Sequence, residues 1–178
     1  MPMPDKQGME TVGDTAREDR RFRDCLGSFA TGVAVVTYAG PDGPRGLTVN
    51  SFTSVSMRPP LVLVCLDRTS KAAGRLTGSP FAINFLHAGQ REVALHFAGR
   101  PSPAIRPDWE TVEGVPCFRD RLARLVCAPW SHHEAGDHTV LFGRVVDFGN
   151  TDGAPLCFFR GAFQSLDPKK RQPQGIGP

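Results

Sequence analysis

The feature that most constrains the fold is a short β-branched run that ends in a strong turn signal. Residues 33–38 read Val-Ala-Val-Val-Thr-Tyr, and residues 40–44 read Gly-Pro-Asp-Gly-Pro. β-Branched and aromatic side chains favour strands, whereas Gly, Pro and Asp supply the backbone angles of tight turns. A second strand is predicted at 46–50, so the two segments are expected to form a β-hairpin.

Further apolar runs predict five more strands. The run at 61–66 shows no polar alternation, so we expect a strand that is buried on both faces. The other strands are predicted at 81–86, 122–133, 138–148 and 156–163. Three helices are predicted, from Thr15 to just before Gly32, from Thr69 to Leu76 and from Gln90 to Phe97. Residues 99–114 are predicted to form a long loop.

The order of these elements favours a barrel. Hairpins dominate and no regular strand–helix–strand alternation is present, which argues against a doubly wound parallel sheet. Seven mainly antiparallel strands best fit a closed or nearly closed barrel, because closure removes exposed strand edges. With 178 residues, the chain fits one domain, which we place at 14–167 between disordered tails at 1–13 and 168–178.

Charge and cysteine usage narrow the function classes. A formal net charge of +3 is too small to predict nucleic-acid binding, which needs a concentrated basic face. The sequence has neither an apolar stretch of about 18 residues nor a secretory signal, so we expect no membrane span. Five widely spaced cysteines without a Cys-x-x-Cys pair predict reduced, buried thiols in a cytoplasmic protein.

Residues 132–138, His-His-Glu-Ala-Gly-Asp-His, concentrate ionisable side chains at a predicted turn. Neighbouring residues of a strand point to opposite faces, so His132 and His133 cannot both face one ion. A metal site would therefore use His132, Glu134 and His138. The alternatives are one imidazole placed at a strand end over a cavity, and a merely solvated polar turn.

Two hydroxyl-rich segments are candidates for binding polar ligands. Residues 48–56 hold five hydroxyl side chains and one amide, which fit either a phosphate or heterocycle site or an ordinary Ser/Thr-rich edge strand. Residues 69–71, Thr-Ser-Lys, stand at a predicted helix start. There they fit either an anion site or a simple helix cap.

Four segments, taken in order, resemble the small flavin reductases of two-component flavin-dependent monooxygenases. The first is Phe-Arg-x-x-Leu-Gly-x-Phe-Ala-Thr-Gly-Val-Ala-Val-Val-Thr at 22–37, and the second is Asn-Ser-Phe-Thr-Ser-Val-Ser-x-x-Pro-Pro-Leu-Val at 50–62. The third is Gly-Asp-His-x-x-x-x-Gly-x-Val at 136–145, and the fourth is Pro-Leu-x-Phe-Phe-Arg-Gly-x-Phe at 155–163. The resemblance extends from about residue 22 to 166.

The resemblance implies a mainly β fold, an antiparallel, Greek-key-like split β-barrel of the FMN-binding type with a few short helices. It also implies a homodimer with flavin near the subunit interface. The implied activity is NAD(P)H-dependent reduction of FMN or FAD, with the reduced flavin passed to a partner monooxygenase. The flavin-binding positions that the resemblance assigns are Thr48, Val49, Asn50, Ser51, Cys65, Leu66, Asp67, Ser70, Lys71, Phe97 and Ala98.

On the nicotinamide side, the resemblance assigns His138 and Asp137 as the catalytic pair, with Phe159 and Arg160 nearby. Hydride transfer is chemistry of the two cofactors, so the protein has to hold the two rings at reacting distance. We expect His138 to position the nicotinamide carboxamide. No metal is needed.

Three questions stay open at this stage. The main alternative function is a split-barrel flavoprotein that holds FMN tightly for another oxidation or as a binding module. FMN and FAD are not distinguished, because the adenosine half of FAD can lie outside the barrel. NADH and NADPH are not distinguished either, since Arg100, Arg106 and Arg160 are all candidates to bind a 2′-phosphate.

Overall fold

Strands dominate residues 12–166, the part of the chain that the computed structural model describes. The helices there are α1 (Val12–Leu26), α2 (Ala73–Leu76) and α3 (Arg91–Phe97), with a 3-10 helix at Ala88–Gln90. The strands are β1 (Thr31–Gly32), β2 (Ala34–Gly40), β3 (Gly43–Val49), β4 (Thr53–Met57), β5 (Pro60–Asp67), β6 (Phe81–Phe85), β7 (Trp109–Val112), β8 (Val115–Phe118), β9 (Ala123–Ala135), β10 (His138–Asn150), β11 (Leu156–Phe159) and β12 (Ala162–Ser165).

Seven of these strands form one antiparallel sheet in the order β3-β2-β6-β9-β10-β5-β4. Its two edge strands, β3 and β4, are consecutive in the chain and only three residues apart, so the sheet curls back on itself. Ser51, in the link between β3 and β4, bonds the backbone of β5: its Oγ donates to the Cys65 carbonyl at 3.0 Å and accepts from the Cys65 N–H at 2.9 Å. The predicted mainly β, antiparallel fold is confirmed.

The barrel core and a second apolar cluster lie on opposite faces of β2. Val36 and Tyr38 point into the barrel with Val64 and Phe81, whereas Val35 packs under α3. β2 is therefore buried on both faces. Removal of this apolar surface from water is the main source of stability.

The burial predicted for the strand at 61–66 is wrong in part. Along β5, Val62, Val64 and Leu66 are buried, but Leu61, Leu63 and Cys65 between them are only half-buried. The burial of successive side chains along β5 alternates because the outer face of this strand has no covering layer in the single chain, unlike the outer face of β2.

The Ser/Thr-rich segment at 48–56 contains β4 at the sheet edge, as the edge-strand alternative predicts. Two other strand predictions need correction. Residues 109–118 form the β7–β8 hairpin instead of the end of a long loop. The single strand predicted at 156–163 is a hairpin, β11–β12, which turns at Arg160 and Gly161 with φ values of 47° and 77°.

The helix limits also differ from the prediction. Helix α1 ends at Leu26, six residues before Gly32, because Gly27 N–H closes the last turn on the Arg23 carbonyl and β1 follows. The helix predicted from Thr69 begins only at Ala73. The predicted tails at 1–13 and 168–178 lie outside the described residues, apart from Val12 and Gly13, which belong to α1.

The five cysteines are all free, but they are not all buried as predicted. Cys117 and Cys127 are buried, Cys65 and Cys157 are half-buried, and Cys25 is exposed on α1. None of the helices described between residues 12 and 166 is long and apolar enough to cross a membrane.

Candidate functional site

A small cavity of about 200 Å³ lies where β3 ends. Thr48, Val49 and Asn50 form one wall, and Ala98 lies on the other side with Phe158 and Phe163 of the β11–β12 hairpin. The walls are mostly apolar, while the amide of Asn50 and the backbone of the strand end supply polar groups. Such a cavity suits a flat ring with one polar edge.

Thr48 and Phe97 hold α3 against the barrel and so shape this cavity. The Thr48 hydroxyl donates to the Ala94 carbonyl at 2.7 Å. The Phe97 ring packs edge-on to Trp109 and tilted against Phe118, with ring centres 6.3 and 5.6 Å apart. Phe97 is thus a packing residue at the helix end, and Ala98 directly after it reaches the cavity wall.

The predicted flavin-binding residues of β5 divide between the two faces of the strand. The side chain of Leu66 is 1% exposed and belongs to the barrel core, so only its backbone is open to a ligand. Cys65 lies on the outer face beside Ser51, and its burial raises the pKa of its thiol. Neither side chain lines the cavity at the end of β3.

Two further cavities share Asn50 with the first. One, of about 230 Å³, lies between the ends of β2 and β3, and the other, of about 660 Å³, extends under the last turn of α1. Thr31 lines both, and its Oγ1 is buried without a hydrogen-bond partner in the described structure. An unpaired buried hydroxyl is uncommon, so Thr31 Oγ1 is free to bond a ligand in either cavity.

Arg160 lies at the β11–β12 turn, on the wall of the larger cavity. Its φ of 47° is in the left-handed region, which is unusual for a residue other than glycine. The Arg160 N–H donates to the Gly27 carbonyl at 2.9 Å, which connects the turn to the end of α1. Its guanidinium carbon is 5.2 Å from the centre of the Phe159 ring, so these two predicted residues lie together.

Asp137 and His138 form a hydrogen-bonded pair at the tip of the β9–β10 hairpin. The distance from His138 Nδ1 to the Asp137 carboxylate is 2.7 Å. This hydrogen bond, with the charge of the imidazole, lowers the pKa of Asp137. The strand register places His138 opposite Asp67, whose pKa is lowered by hydrogen bonds from the Thr69 hydroxyl and backbone N–H.

The metal-site alternative finds no support in the geometry of this hairpin. No group of three potential ligands is arranged to hold a metal ion in the part of the chain that is described. The Glu134 carboxylate pairs with the Arg68 guanidinium at 3.3 Å instead.

The helix start predicted at 69–71 is wrong, so the positive end of a helix does not lie at Ser70. Helix α2 has only four residues, the Thr69 N–H bonds the Asp67 carboxylate at 2.7 Å, and the Ser70 Oγ accepts from Ala73 N–H at 3.2 Å. Lys71 is exposed and lines a separate open cavity of about 710 Å³ with Arg45.

Sequence reasoning missed several residues of the site. The cavity walls include Arg23, Asp24, Thr31, Phe158 and Phe163, none of which was assigned a role. The Phe-Ala-Thr-Gly-Val motif at 29–33 is the sequence signal that could have indicated a role for Thr31. No sequence pattern indicates that the end of α1 would fold over the β11–β12 turn.

Comparisons with a family model, with related sequences and with solved structures agree on one family. A family model described as "Flavin reductase like domain" matches residues 26–167. SmoA of Agrobacterium fabrum, an NADH-dependent FMN reductase, is 42% identical over 90% of this chain and 92% of its own. HsaB of Rhodococcus jostii, the reductase subunit of a flavin-dependent monooxygenase, is 35% identical over 96% of this chain and 90% of its own.

A solved structure is similar in fold as well as in sequence. It is the NADH:FAD oxidoreductase SgcE6 of Streptomyces globisporus C-1027, in complex with NAD and FAD fragments. The TM-score is 0.80 at 38% identity, and the match covers 87% of this chain and 96% of that chain.

Proposed function

The chain belongs to the flavin reductase-like family, and we propose that it reduces FMN or FAD with NADH and supplies the reduced flavin to a partner monooxygenase. The predicted family, the split-barrel fold and the predicted oxidoreductase activity are confirmed. The roles of individual residues, the choice of flavin and the assembly are proposals that follow from the site.

The observation that carries the proposal is the cavity at the end of β3. Its walls fit a flavin, since Val49, Ala98 and Phe158 offer apolar surface for the ring system and Asn50 offers donors and acceptors for its polar edge. The unpaired Thr31 hydroxyl in the adjoining cavity is a further donor with no protein partner among the described residues.

When both are bound, the nicotinamide and the flavin supply the hydride transfer. The role of this chain is to hold the two rings together and to exclude water. In this role, the Asp137 carboxylate accepts from Nδ1 of His138 and fixes the orientation of the imidazole. Nε2 of His138 then remains to bond the carboxamide of the nicotinamide.

The other assignments rest on the family resemblance. Ser70 and Lys71 are proposed to lie near the flavin phosphate, where the Lys71 ammonium supplies the charge. Cys65, Leu66 and Asp67 are proposed to border the flavin from β5, with Leu66 contributing its backbone. Phe159 is proposed to hold the Arg160 guanidinium in place by stacking.

We also propose that the protein is a homodimer and that it works in the cytoplasm. Exposed apolar side chains on and after α1 support a covered interface, because Phe22, Leu26 and Phe29 are 64%, 57% and 78% exposed in the single chain. The five free thiols fit a reducing compartment. Light scattering after gel filtration measures the assembly, and the mass of one chain would contradict the dimer.

The function is tested by following nicotinamide absorbance with NADH or NADPH, in the presence of FMN, FAD or no flavin. We expect NADH oxidation that requires added flavin and saturates with its concentration. A protein that retains its flavin through gel filtration and turns over independently of added flavin would be the tightly binding flavoprotein instead. A protein that binds flavin but oxidises neither nucleotide would contradict the proposal.

A further inference from the structure

A proline-rich segment between α3 and β7 is connected to the rest of the protein by a single hydrogen bond. Residues 99–107, here called the proline strap, include Pro101, Pro103 and Pro107. The Ser102 N–H donates to Nδ1 of His96, on α3, at 3.0 Å. In the described chain, no other hydrogen bond links residues 101–107 to a residue outside the strap. The position of the strap therefore depends on one imidazole nitrogen.

Both partners of this hydrogen bond are themselves held in place. The half-buried imidazole of His96 packs edge-on against the Phe97 ring, with ring centres 4.8 Å apart. Within the strap, the Ser102 carbonyl accepts from the Ile105 N–H at 3.2 Å, and its Oγ accepts from the Ala104 N–H at 3.3 Å. Each proline ring also fixes a φ angle. The strap is thus a stiff segment whose internal bonds converge on Ser102.

The strap forms part of the wall of a cavity at a proposed flavin-binding residue. The open cavity of about 710 Å³ that Lys71 lines is here called the Lys71 groove. Its walls also include His96 and three residues of the strap, Gly99, Pro101 and Pro107. Lys71 is proposed above to lie near the flavin phosphate. The position of the strap therefore shapes the space beside the phosphate-bearing tail of the flavin.

The groove holds cations but no carboxylate. Among the residues that line it, Arg45 and Lys71 are the charged ones, and Arg45 pairs with Asp42 at 3.4 Å. The charged residues of α3 and the strap are Arg91 and Glu92, which pair with each other, and the exposed Arg100 and Arg106. An imidazolium at His96 would find no anionic partner in the groove to replace the bond to Ser102.

The bond to Ser102 requires an uncharged imidazole. A nitrogen that accepts a hydrogen bond carries no proton, so neutral His96 has its proton on Nε2. Protonation places a second proton on Nδ1, which turns the acceptor into a donor that faces the Ser102 N–H. Histidine is the side chain that ordinarily changes charge between about pH 5 and pH 8. Mild acid is thus sufficient to break this bond.

We propose that His96 is a positioning residue that holds the proline strap at the Lys71 groove when it is neutral and releases the strap when it is protonated. The strap then no longer forms a fixed wall beside the phosphate-bearing tail of the flavin. FMN and FAD therefore bind less tightly in mild acid, whereas riboflavin, which ends before the phosphate, does not. This inference rests on the proposed function.

Deuterium exchange, followed by mass spectrometry, measures the bond directly and needs no turnover. Proline has no amide hydrogen, so Ser102 carries the only one between Arg100 and Ala104. After correction for the intrinsic exchange rate, we expect uptake at Ser102 to be about fivefold faster in His96→Leu at pH 8, the usual effect of losing one hydrogen bond. The wild type should show the same rise between about pH 8 and about pH 5.5.

Two variants separate the hydrogen bond from a general loosening of α3. In His96→Asn, the amide oxygen can accept from Ser102 and does not titrate, so uptake should stay slow at both pH values. His87→Leu is the matched control, because Nδ1 of His87 accepts from the Gly89 N–H at 3.1 Å before α3 begins. Uptake at Ser102 should not change in this control. An equal rise in His87→Leu and His96→Leu, or a pH dependence that persists in His96→Asn, would overturn the role of His96.

Steady-state kinetics at saturating NADH measures the consequence for the flavin. We expect the ratio of the KM for FMN to the KM for riboflavin to rise about fivefold in His96→Leu, and in the wild type at about pH 5.5, but not in His96→Asn. The ratio cancels changes at the nicotinamide site, which both flavins share. An unchanged ratio in His96→Leu would overturn the link between the strap and the flavin tail. A wild type that binds flavin without turnover would contradict the proposed function and leave the exchange test valid.

Discussion

The two ends of the β9–β10 hairpin differ in how deeply their charged side chains are buried and in the role of those side chains. At its base, the Arg124 side chain is 13% exposed and bonds Glu110 at 3.1 Å and Asp147 at 3.2 Å. At its tip, the side chains of Asp137 and His138 are 92% and 44% exposed. One pair of strands thus carries both a buried scaffold and an open, titratable corner.

This difference indicates that burial determines how much an ion pair in this fold contributes to stability. The Arg124 network connects the β7–β8 hairpin to the barrel, and removing one member leaves a partly buried charge without its partner. The charges at the tip stay solvated, so their hydrogen bonds orient groups and contribute little to stability. We therefore expect substitutions at the base to change stability and substitutions at the tip to change ligand binding.

The largest effect is expected between the two ends, in the buried middle of β10, for Gly143→Ala. A Cβ there would lie 2.6 Å from the Phe81 ring and 2.8 Å from Cys127 Cβ, and both of these residues are fully buried. Overpacking of this kind costs up to about 3 kcal/mol of unfolding free energy, measured by urea denaturation. Gly149→Ala on the same strand meets only the Arg124 guanidinium at 3.9 Å, so its free energy should change by less than about 0.5 kcal/mol. Equal losses in the two variants would refute the packing explanation.

The next effect compares an arginine from each end. Arg124→Gln should lower the free energy of unfolding by about 2 kcal/mol, because the Glu110 and Asp147 carboxylates lose charged hydrogen bonds in a partly buried setting. Arg68→Gln removes the exposed pair with Glu134 at the tip and should cost less than about 0.5 kcal/mol. Urea denaturation at low and at high salt measures both, and a larger loss for Arg68→Gln would reverse the comparison.

At the tip, His138→Asn should raise the KM for NADH about tenfold and change the urea midpoint only slightly, since the side chain is solvated and its pair with Asp137 contributes little to stability. His132→Asn, on the same hairpin, is the control and should leave the KM unchanged. An unchanged KM for NADH together with the loss of a proton-dependent rate would show that His138 transfers protons instead of positioning the nicotinamide.

The smallest effect is the pH dependence of the Asp137–His138 pair. The pKa of Asp137 is lowered in the folded protein, so its contribution to stability is present above the unfolded pKa of about 4 and is lost as the pH falls through the lower folded value. Asp137→Asn should therefore be slightly less stable than the wild type at pH 6, and the two urea midpoints should converge below about pH 4. Midpoints that diverge in acid would contradict this sign.

The sequence predicted the parts of the fold that have strong local signals. The β2–β3 hairpin follows from β-branched residues around a Gly-Pro-Asp-Gly-Pro turn, and α3 follows from its helical spacing of apolar residues. β4 is exposed at a sheet edge, so its Ser and Thr residues show no apolar alternation. The β11–β12 turn was missed because Arg160 adopts positive φ there, a conformation that an arginine in a sequence does not indicate.

Like the fold, the candidate site could be predicted from the sequence only in part. Residues 48–50 and Ala98 were identified through the family resemblance, and the structure brings them to one cavity. The cavity under the last turn of α1 depends on the contact between Gly27 and Arg160, which are more than a hundred residues apart. Local pattern carries no information about a contact of that range. The prediction that β5 is buried on both faces is wrong in part for the same reason, because distant segments decide what covers a strand face.

The hydrogen bonds between Ser51 and the Cys65 backbone give the molecule a built-in reporter of deuterium exchange. The Cys65 amide is held by a side-chain hydroxyl and not by the carbonyl of a neighbouring strand. A single local opening at the seam is enough to release this amide to solvent, so it should take up deuterium sooner than the amides inside the sheet. We expect a flavin bound at the proposed positions 48–51 to suppress that opening. The uptake rate at Cys65 would then fall as the site fills, and occupancy could be followed without any turnover.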